Sequence, residues 1–158
     1  MSEPAVSLRS LVIPLRDCAL LVPSAVVAEV TGNVAPAPVP DVPDWVLGTI
    51  AWRRQVVPLV CMERAMGAAA DAEAGSPRDR IVILYGLGGA PALPFYGIVA
   101  RDIPRVYRAS AQTVRSAATA APGRPLTLDE ITLSPGDSAV IPDLDALETR
   151  LRQYFPGP

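Results

Sequence analysis

The side chains of this sequence that could do chemistry are carboxylates, two cysteines and a pair of adjacent arginines. There is no His and no Lys, so all 14 basic residues are Arg. These absences exclude Ser–His and Cys–His nucleophile pairs, His-ligated metals, Schiff-base chemistry and the lysine of a phosphate-binding loop. An enzyme built from this chain would have to use Asp and Glu alone, or a metal together with them.

Two pairs of carboxylates are candidates for acid–base catalysis, Asp129 with Glu130 and Asp143 with Asp145. A glycosidase-type pair must face one cleft. Asp143 and Asp145 stand where a helix is predicted to begin, so Asp143 is explained as its N-cap and the two side chains diverge. Caps and turns therefore explain these residues better than catalysis does, and a carboxylate-only hydrolase is kept as a remote alternative.

The two cysteines, Cys18 and Cys61, do not form a disulfide framework or a metal motif. No Cys-x-x-Cys spacing is present, and no His could complete a ligand set. Buried, inert thiols within strands are the favoured interpretation, while a bridge between the two cysteines stays open. We therefore expect neither a metal nor a cofactor.

The stretch 45–62, WVLGTIAWRRQVVPLVCM, holds two apolar runs separated by residues 53–55, Arg-Arg-Gln. Its Val, Ile and Trp content favours strands. Gly48 indicates a bulge or a close backbone approach, and Pro58, which cannot donate to a ladder, predicts an edge strand or a break. The pattern predicts a hairpin whose turn exposes guanidinium groups, which are suited to binding a partner's carboxylates or carbonyls.

The other apolar runs predict a chain dominated by strands. We expect a hairpin of residues 11–15 and 18–22 with a charged turn at Arg16–Asp17. A buried central strand is predicted at 81–85 and a further strand at 93–108, joined by a hairpin turn at the glycines of 86–89 rather than by a nucleotide loop. The last strands are predicted at 126–133 and 138–142.

Helices and connections fill the rest. One or two helical turns are predicted after Ser24, another at 63–66, and a short one near 112–118. A longer helix is expected after Asp143, because leucines and Tyr154 recur there at steps of three and four. The proline-rich segment 36–43 should be extended, as an in-domain spacer or as a ligand of a proline-binding module. Residues 68–79 read as a polar linker.

Charge and hydropathy indicate which partners and which cellular location to expect for the chain. The net charge of −2 gives no reason to expect nucleic acid as a partner, which would favour a basic face. No apolar run approaches the roughly 20 residues needed to cross a bilayer. The first ten residues lack the pattern of a secretory signal. We therefore expect a cytoplasmic protein without direct membrane insertion.

Three landmarks resemble the CheW-type chemotaxis coupling family. The first is V-x-G-x-x-N-L-R-G-x-V-V-P-V-x-D-L, which 46–62 matches at positions 46, 48, 53 and 56–58 and departs from at Ala51, Arg54 and Cys61. The second, G-L-L-V-D-x-V-x-x-V, is similar to the segment 97–106, where Arg101 replaces an Asp. The closing V-x-L-L-D-x-x-x-L resembles the C-terminal helix. In the first landmark Arg54 stands where the family has a Gly, which predicts backbone strain if the turn needs a positive φ at this position.

The resemblance implies a mainly β fold of two small five-stranded SH3-like β-barrel lobes that share an apolar core, with crossing chain ends and short helices. It implies residues 9–154 as a single domain, 1–8 as a flexible arm and 155–158 as a tail. It also implies a non-catalytic adaptor that couples the cytoplasmic tips of chemoreceptors to the regulatory domain of a CheA-type histidine kinase. The departures suggest a ChpC- or PilI-like branch linked to type IV pili, or a scaffold that has lost kinase coupling.

The resemblance also assigns site residues by position. Arg53, with Arg54 beside it, Gly97 and Val106 match the receptor side. The kinase side is matched by Val27, Glu29 and Gly48. Arg101, Arg105 and Arg108 form a positive stretch that is either a solvated strand edge or a binding face shared with Arg53. Weak self-association is compatible with such exposed β surfaces.

Overall fold

A computed structural model describes residues 7–16, 18–67, 76–88, 93–110, 114–116, 125–133 and 137–155. Several predictions lie outside these residues: Asp17 of the first turn, residues 68–75 of the linker, the end of the 86–89 turn, and most of the N-terminal arm and the C-terminal tail. Strand β1 begins at Ser7, inside the segment predicted to be an arm.

Strands dominate the described chain. The strands in chain order are β1 Ser7–Pro14, β2 Ala19–Pro23, β3 Val27–Gly32, β4 Val46–Trp52, β5 Gln55–Val60, β6 Arg80–Tyr85, β7 Phe95–Ala100, β8 Arg105–Ser110, β9 Val114–Ser116, β10 Thr127–Leu133 and β11 Asp137–Pro142. The helices are a 3-10 turn at Ser24–Val26, α1 Met62–Ala65 and α2 Leu144–Arg152.

The strands form two sheets, each the basis of one lobe. The first sheet has the order β8-β1-β2-β11-β10-β9, and the second has the order β3-β6-β7-β5-β4. Five consecutive strands thus build the second lobe, while the first lobe combines both ends of the chain. The predicted mainly β, two-lobed fold is confirmed, with six strands rather than five in the first sheet. Within the described residues, neither backbone ladder closes into a barrel.

One apolar core is shared by the two lobes and by α2. It includes Ile13 and Leu20 of the first sheet, Val82 and Ile98 of the second, and Leu147 of α2, all fully buried. Each lobe also has a core of its own, around Leu21 and Ile131 in the first and around Ile81 and Val99 in the second. Because burying one such side chain contributes about 1.5–3 kcal/mol, the shared core fixes the lobes against each other.

The predicted hairpins are confirmed. β1 pairs antiparallel with β2, β4 with β5, β6 with β7 and β10 with β11. The strand predicted at 81–85 is an interior strand of its sheet, and residues 81–84 are buried as expected from the continuous apolar run, whereas Tyr85 at its end is exposed. The predicted N-cap of the last helix is also present, since the Asp143 Oδ1 atom accepts a hydrogen bond from the Ala146 N–H at 3.1 Å.

The turn after β6 is held by a carboxylate from α2. The backbone N–H groups of Leu87 and Gly88 donate to Glu148 Oε1 at 2.8 and 3.0 Å, and the Tyr96 hydroxyl donates to Glu148 Oε2 at 3.3 Å. Glu148 is buried. Burial, together with the negative charge of Glu148, raises the pKa of Tyr96 far above its ordinary value. The glycine-rich turn is therefore a hairpin bound to the C-terminal helix.

Four elements differ from the sequence prediction. Helix formation after Ser24 ends at Val26, and β3 follows, because β-branched residues there pair with β6. The 93–108 strand is two strands, β7 and β8, which belong to different sheets. Residues 114–116 form β9, not a helix. Pro58 lies in β5, an interior strand, and the ladder to β7 begins one residue later, at Leu59.

Candidate functional site

The Arg53–Arg54 turn joins β4 to β5 with only two residues, whose φ angles are 47° and 62°. Positive φ at both central residues is the pattern of a type I′ hairpin turn, which favours Asn and Gly. An L-residue with a side chain pays roughly 1–2 kcal/mol for this conformation. The strain expected at Arg54 is therefore present, and it extends to Arg53.

Arg53 is anchored on two sides. Its NH2 group donates to Glu29 Oε1 at 2.9 Å, and its guanidinium carbon lies 4.7 Å from the centre of the Trp52 ring. An arginine over an aromatic face is attracted by the ring quadrupole. The Arg53 side chain nevertheless remains 63% exposed. The site therefore presents a guanidinium group whose orientation is fixed while much of its surface stays accessible.

Glu29 connects the two edges of the second sheet. While one of its oxygens binds Arg53, the other, Oε2, accepts a hydrogen bond from Trp52 Nε1 at 2.9 Å. The hydrogen bond from Trp52, followed by that from Arg53, lowers the pKa of Glu29 below its ordinary value, so the carboxylate stays ionised. Because β3 and β4 are the opposite edges of this sheet, these three residues close the lobe through side chains. We call them the Glu29 clasp.

Aromatic packing supports the clasp from below. The Trp52 ring is buried and meets Phe95 of β7 edge-on, with centroids 4.8 Å apart. Phe95 in turn lies 5.6 Å from Tyr85 of β6. Aromatic pairs in such arrangements add stability beyond area burial. The sequence prediction missed Trp52 as a site residue, although its position directly before the arginines was the available signal.

Arg54 differs from Arg53 in its surroundings. Its side chain is exposed, and within the described part of the chain it has no hydrogen bond or ion pair. Two positions further on, Val56 is 76% exposed and lies across the ladder from exposed Ala51. The end of the hairpin thus combines one anchored cation, one unpaired cation and a small apolar surface.

Gly48 is confirmed as a bulge with a close backbone approach. The pairing of β4 with β5 shifts between Val46 and Gly48, where φ is 137°. A Cβ atom at Gly48 would overlap the carbonyl group of Ala37, which exchanges two backbone hydrogen bonds with Thr49. The proline-rich segment is therefore bound to the edge of β4, in agreement with an in-domain spacer.

Replacing Gly48 with alanine is expected to lower the free energy of unfolding by about 2 kcal/mol, because the new methyl group meets backbone and the positive φ is strained. Urea unfolding followed by tryptophan fluorescence measures the change. Gly32→Ala is the matched control, since nothing lies within 4 Å of a Cβ at that position. Equal effects of the two substitutions would contradict the close approach.

The remaining predicted site residues are dispersed. Gly97 is buried, and a Cβ there would press on Ile81 and Leu59, so close packing by itself accounts for a glycine at this position. Val106 is exposed, but it lies on β8 in the other sheet from Arg53. Val27 is half-buried and packs against the shared core. The structure therefore joins only Glu29 and Arg53, which the resemblance had assigned to different partners.

Arg101 is neither a solvated edge residue nor part of a face with Arg53. Its Nε atom binds Glu63 Oε2 at 2.8 Å and its NH1 atom binds Asp79 Oδ2 at 3.1 Å, while its own side chain is only 15% exposed. Both carboxylates are buried. Burial by itself would raise the pKa of Glu63, but hydrogen bonds from Arg101 and from backbone N–H groups hold that pKa below its ordinary value.

Two departures from the family pattern meet at this point. The Cys61 thiol lies 3.9 Å from Arg101 NH2 and 3.6 Å from Glu63 Oε1, and burial raises its pKa. Both cysteines are free thiols, Cys61 buried and Cys18 half-buried. The family pattern has an Asp at each of these positions, and this chain has Cys61 and Arg101 instead. The two changes are spatially paired, so two carboxylates of the pattern are lost and one guanidinium ion is gained at the same place.

The carboxylates considered for catalysis are explained by their places in the secondary structure. Asp143 caps α2, and Asp145 lies in the first turn of that helix. Asp129 and Glu130 are neighbours on β10, so their side chains point to opposite faces of the sheet. Among the described residues, no group of three or more Cys, Asp or Glu side chains could hold a metal ion. Within the same residues, no helix is long and apolar enough to span a membrane.

The fold and the site define a two-lobed β domain with an exposed, charged hairpin turn. The model of the CheW-like domain family matches residues 9–151. The chain therefore belongs to the CheW-like domain family.

A solved structure supports the same fold. The chain is similar to the crystal structure of the scaffolding protein TtCheW from Thermoanaerobacter tengcongensis, with a TM-score of 0.70 and 16% sequence identity. The similarity covers 87% of this chain and 89% of that one. Comparison with curated proteins gave no match.

Proposed function

We propose that this protein is a cytoplasmic, non-catalytic adaptor that couples the tips of chemoreceptors to the regulatory domain of a CheA-type histidine kinase. Its output would be chemotaxis or motility driven by type IV pili. The observation that carries the proposal is the Arg53–Arg54 turn of a CheW-like domain, a strained and exposed pair of cations of which Arg53 is anchored in the Glu29 clasp. The proposal involves no cofactor and no turnover.

The geometry favours binding over catalysis because the clasp orients Arg53 before a partner arrives. A side chain already held in its bound orientation loses less entropy on association. Glu29 also neutralises Arg53, so an incoming carboxylate must either share the guanidinium fork or replace Glu29. The receptor side, with Arg53, and the kinase side, with Glu29, would then meet at one contact pair. Gly48 would support this surface through the β4 bulge.

The first test is a pull-down with a chemoreceptor tip and the regulatory domain of a CheA-type kinase from the same organism. Arg53→Glu is expected to weaken binding by roughly 30-fold or more, as for an interface arginine that dominates the energy. The substitution also places two carboxylates together in the clasp. Circular dichroism checks that the fold persists.

Arg78→Glu is the matched control, because Arg78 is an exposed arginine of the same lobe that precedes β6, at the end away from the clasp. Its binding is expected to equal that of the wild type. Wild-type binding to both partners that survives Arg53→Glu would rule out this contact surface.

A second function is favoured by the departures at Arg54, Cys61 and Arg101. They suggest a divergent CheW-like scaffold that lacks kinase coupling and binds a different partner. Assembly of a ternary complex with a receptor tip and a kinase domain would eliminate this alternative. For the remote hydrolase alternative, an activity found in a substrate screen should be lost in Asp143→Asn, and no effect of that change would end it.

A further inference from the structure

We infer that Arg54 is a specificity-determining residue of this surface, selecting a partner that presents a carboxylate beside an apolar side chain. The inference rests on the proposed function and deepens it. Its basis is that the turn places an unpaired arginine in a conformation that an arginine does not favour, next to an exposed apolar pair.

The backbone at position 54 favours a different residue. With a φ of 62°, the position accepts Gly or Asn without the steric conflict that a longer side chain meets. Arg54 therefore weakens the hairpin relative to Gly. Strain at an exposed position that the fold does not need is expected where a side chain serves an interaction.

The charge of Arg54 is unpaired, whereas that of Arg53 is shared with Glu29. Arg53 is paired with Glu29 and lies over the Trp52 ring. Arg54 makes no ion pair or hydrogen bond within the residues that the structure describes, and it stands on a two-residue turn with little freedom. A guanidinium group on a rigid support selects carboxylates by its planar fork.

The neighbouring surface defines the rest of the partner. Val56 and Ala51 face each other across the ladder and are both exposed, so they offer a small apolar contact next to the cation. An amphipathic protein segment with an acidic residue beside an apolar one fits this combination. The net charge of −2 gives no support to nucleic acid as the source of the anion.

Three substitutions separate strain from charge. Arg54→Gly removes both, Arg54→Gln keeps the strain and removes the charge, and Arg54→Lys keeps both but loses the fork. Only Arg54→Gly is expected to raise the melting temperature, by about 2–4 °C. Arg54→Gly and Arg54→Gln are both expected to weaken binding about fivefold and to reduce its salt dependence, whereas Arg54→Lys retains most of the affinity.

Affinity is measured by calorimetry with the receptor tip and the kinase regulatory domain at low and high salt. A more stable Arg54→Gly that binds more weakly, in parallel with Arg54→Gln, supports the inference. Unchanged binding by both variants overturns the inference and leaves the proposed function standing. Failure of the wild type to bind either probe overturns the proposed function, and this inference with it.

Discussion

Replacing Arg101 with methionine is expected to lower the free energy of unfolding by about 3–5 kcal/mol, the cost of breaking a buried ion pair from one side. Methionine fills much of the same volume, but it leaves the carboxylates of Glu63 and Asp79 buried without their common cation. Asp79 is particularly sensitive to the loss of Arg101, because its other oxygen, Oδ1, already lacks a hydrogen-bond partner.

Urea unfolding measures the effect, with Arg105→Met as the matched control. Arg105 lies at a long 3.9 Å from Asp137 and both side chains are largely exposed, so its loss should change stability by less than about 0.5 kcal/mol. Adding Glu63→Gln and Asp79→Asn to Arg101→Met should recover much of the stability, since neutral groups cost less to bury. An Arg101→Met protein as stable as the wild type would contradict the buried network.

The decrease in the free energy of unfolding caused by Arg101→Met should depend on pH. In the wild type the pKa of Glu63 lies below its ordinary value of 4.5, so its contribution to stability is present above that value and is lost as the pH falls. In the variant, burial without Arg101 raises the pKa of Glu63, and protonation then relieves the penalty. The two proteins should differ most near neutral pH, and the difference should narrow as the pH approaches about 4. A difference independent of pH would point to packing alone.

Glu148→Leu is expected to lower the free energy of unfolding by about 2–4 kcal/mol. The substitution removes the acceptor of the Leu87 and Gly88 N–H groups and of the buried Tyr96 hydroxyl, which joins α2 to the β6–β7 hairpin. Glu148→Gln retains one acceptor oxygen and should lose roughly half as much. Hydrogen exchange at Leu87 and Gly88 should accelerate in Glu148→Leu while the exchange of β1 remains slow.

Arg150→Ala is the control for the Glu148 substitutions, because Arg150 is an exposed residue two positions further along the same helix. Its effect should stay within about 0.5 kcal/mol, as for surface positions without a special contact. If Glu148→Leu were no more destabilising than Arg150→Ala, the hydrogen bonds of Glu148 would contribute nothing measurable to the attachment of α2.

Local patterns in the sequence were sufficient for much of the fold. The β1–β2 and β4–β5 hairpins follow from apolar runs on either side of short charged segments, and the α2 cap follows from Asp143 before a helical repeat. These signals work because turns and caps are determined by residues within a few positions of one another. The Gly48 bulge was predicted for the same reason.

Local patterns failed where the same residues suit two structures. The helical turns predicted after Ser24 would have included Val27 and Glu29, but in the structure these residues lie in β3 and pair with β6. The 93–108 run was predicted as one strand, although the chain leaves the second sheet after Ala100 and enters the first at Arg105. Strand pairing depends on partners that are distant in sequence, and the intrinsic helix or strand propensity of a residue carries no information about them.

The sequence by itself determined the β1–β2, β4–β5, β6–β7 and β10–β11 hairpins, the absence of histidine and lysine chemistry and the two-arginine turn. Only the tertiary structure decided which charges meet. Glu29 reaches Arg53 across 24 residues, Arg101 reaches Glu63 across 38, and Glu148 reaches Leu87 across 61. Such contacts depend on how two sheets and a helix pack around a common core. The same residue type is therefore anchored at Arg53, buried at Arg101 and unpaired at Arg54, because the surroundings set by the fold differ at each position.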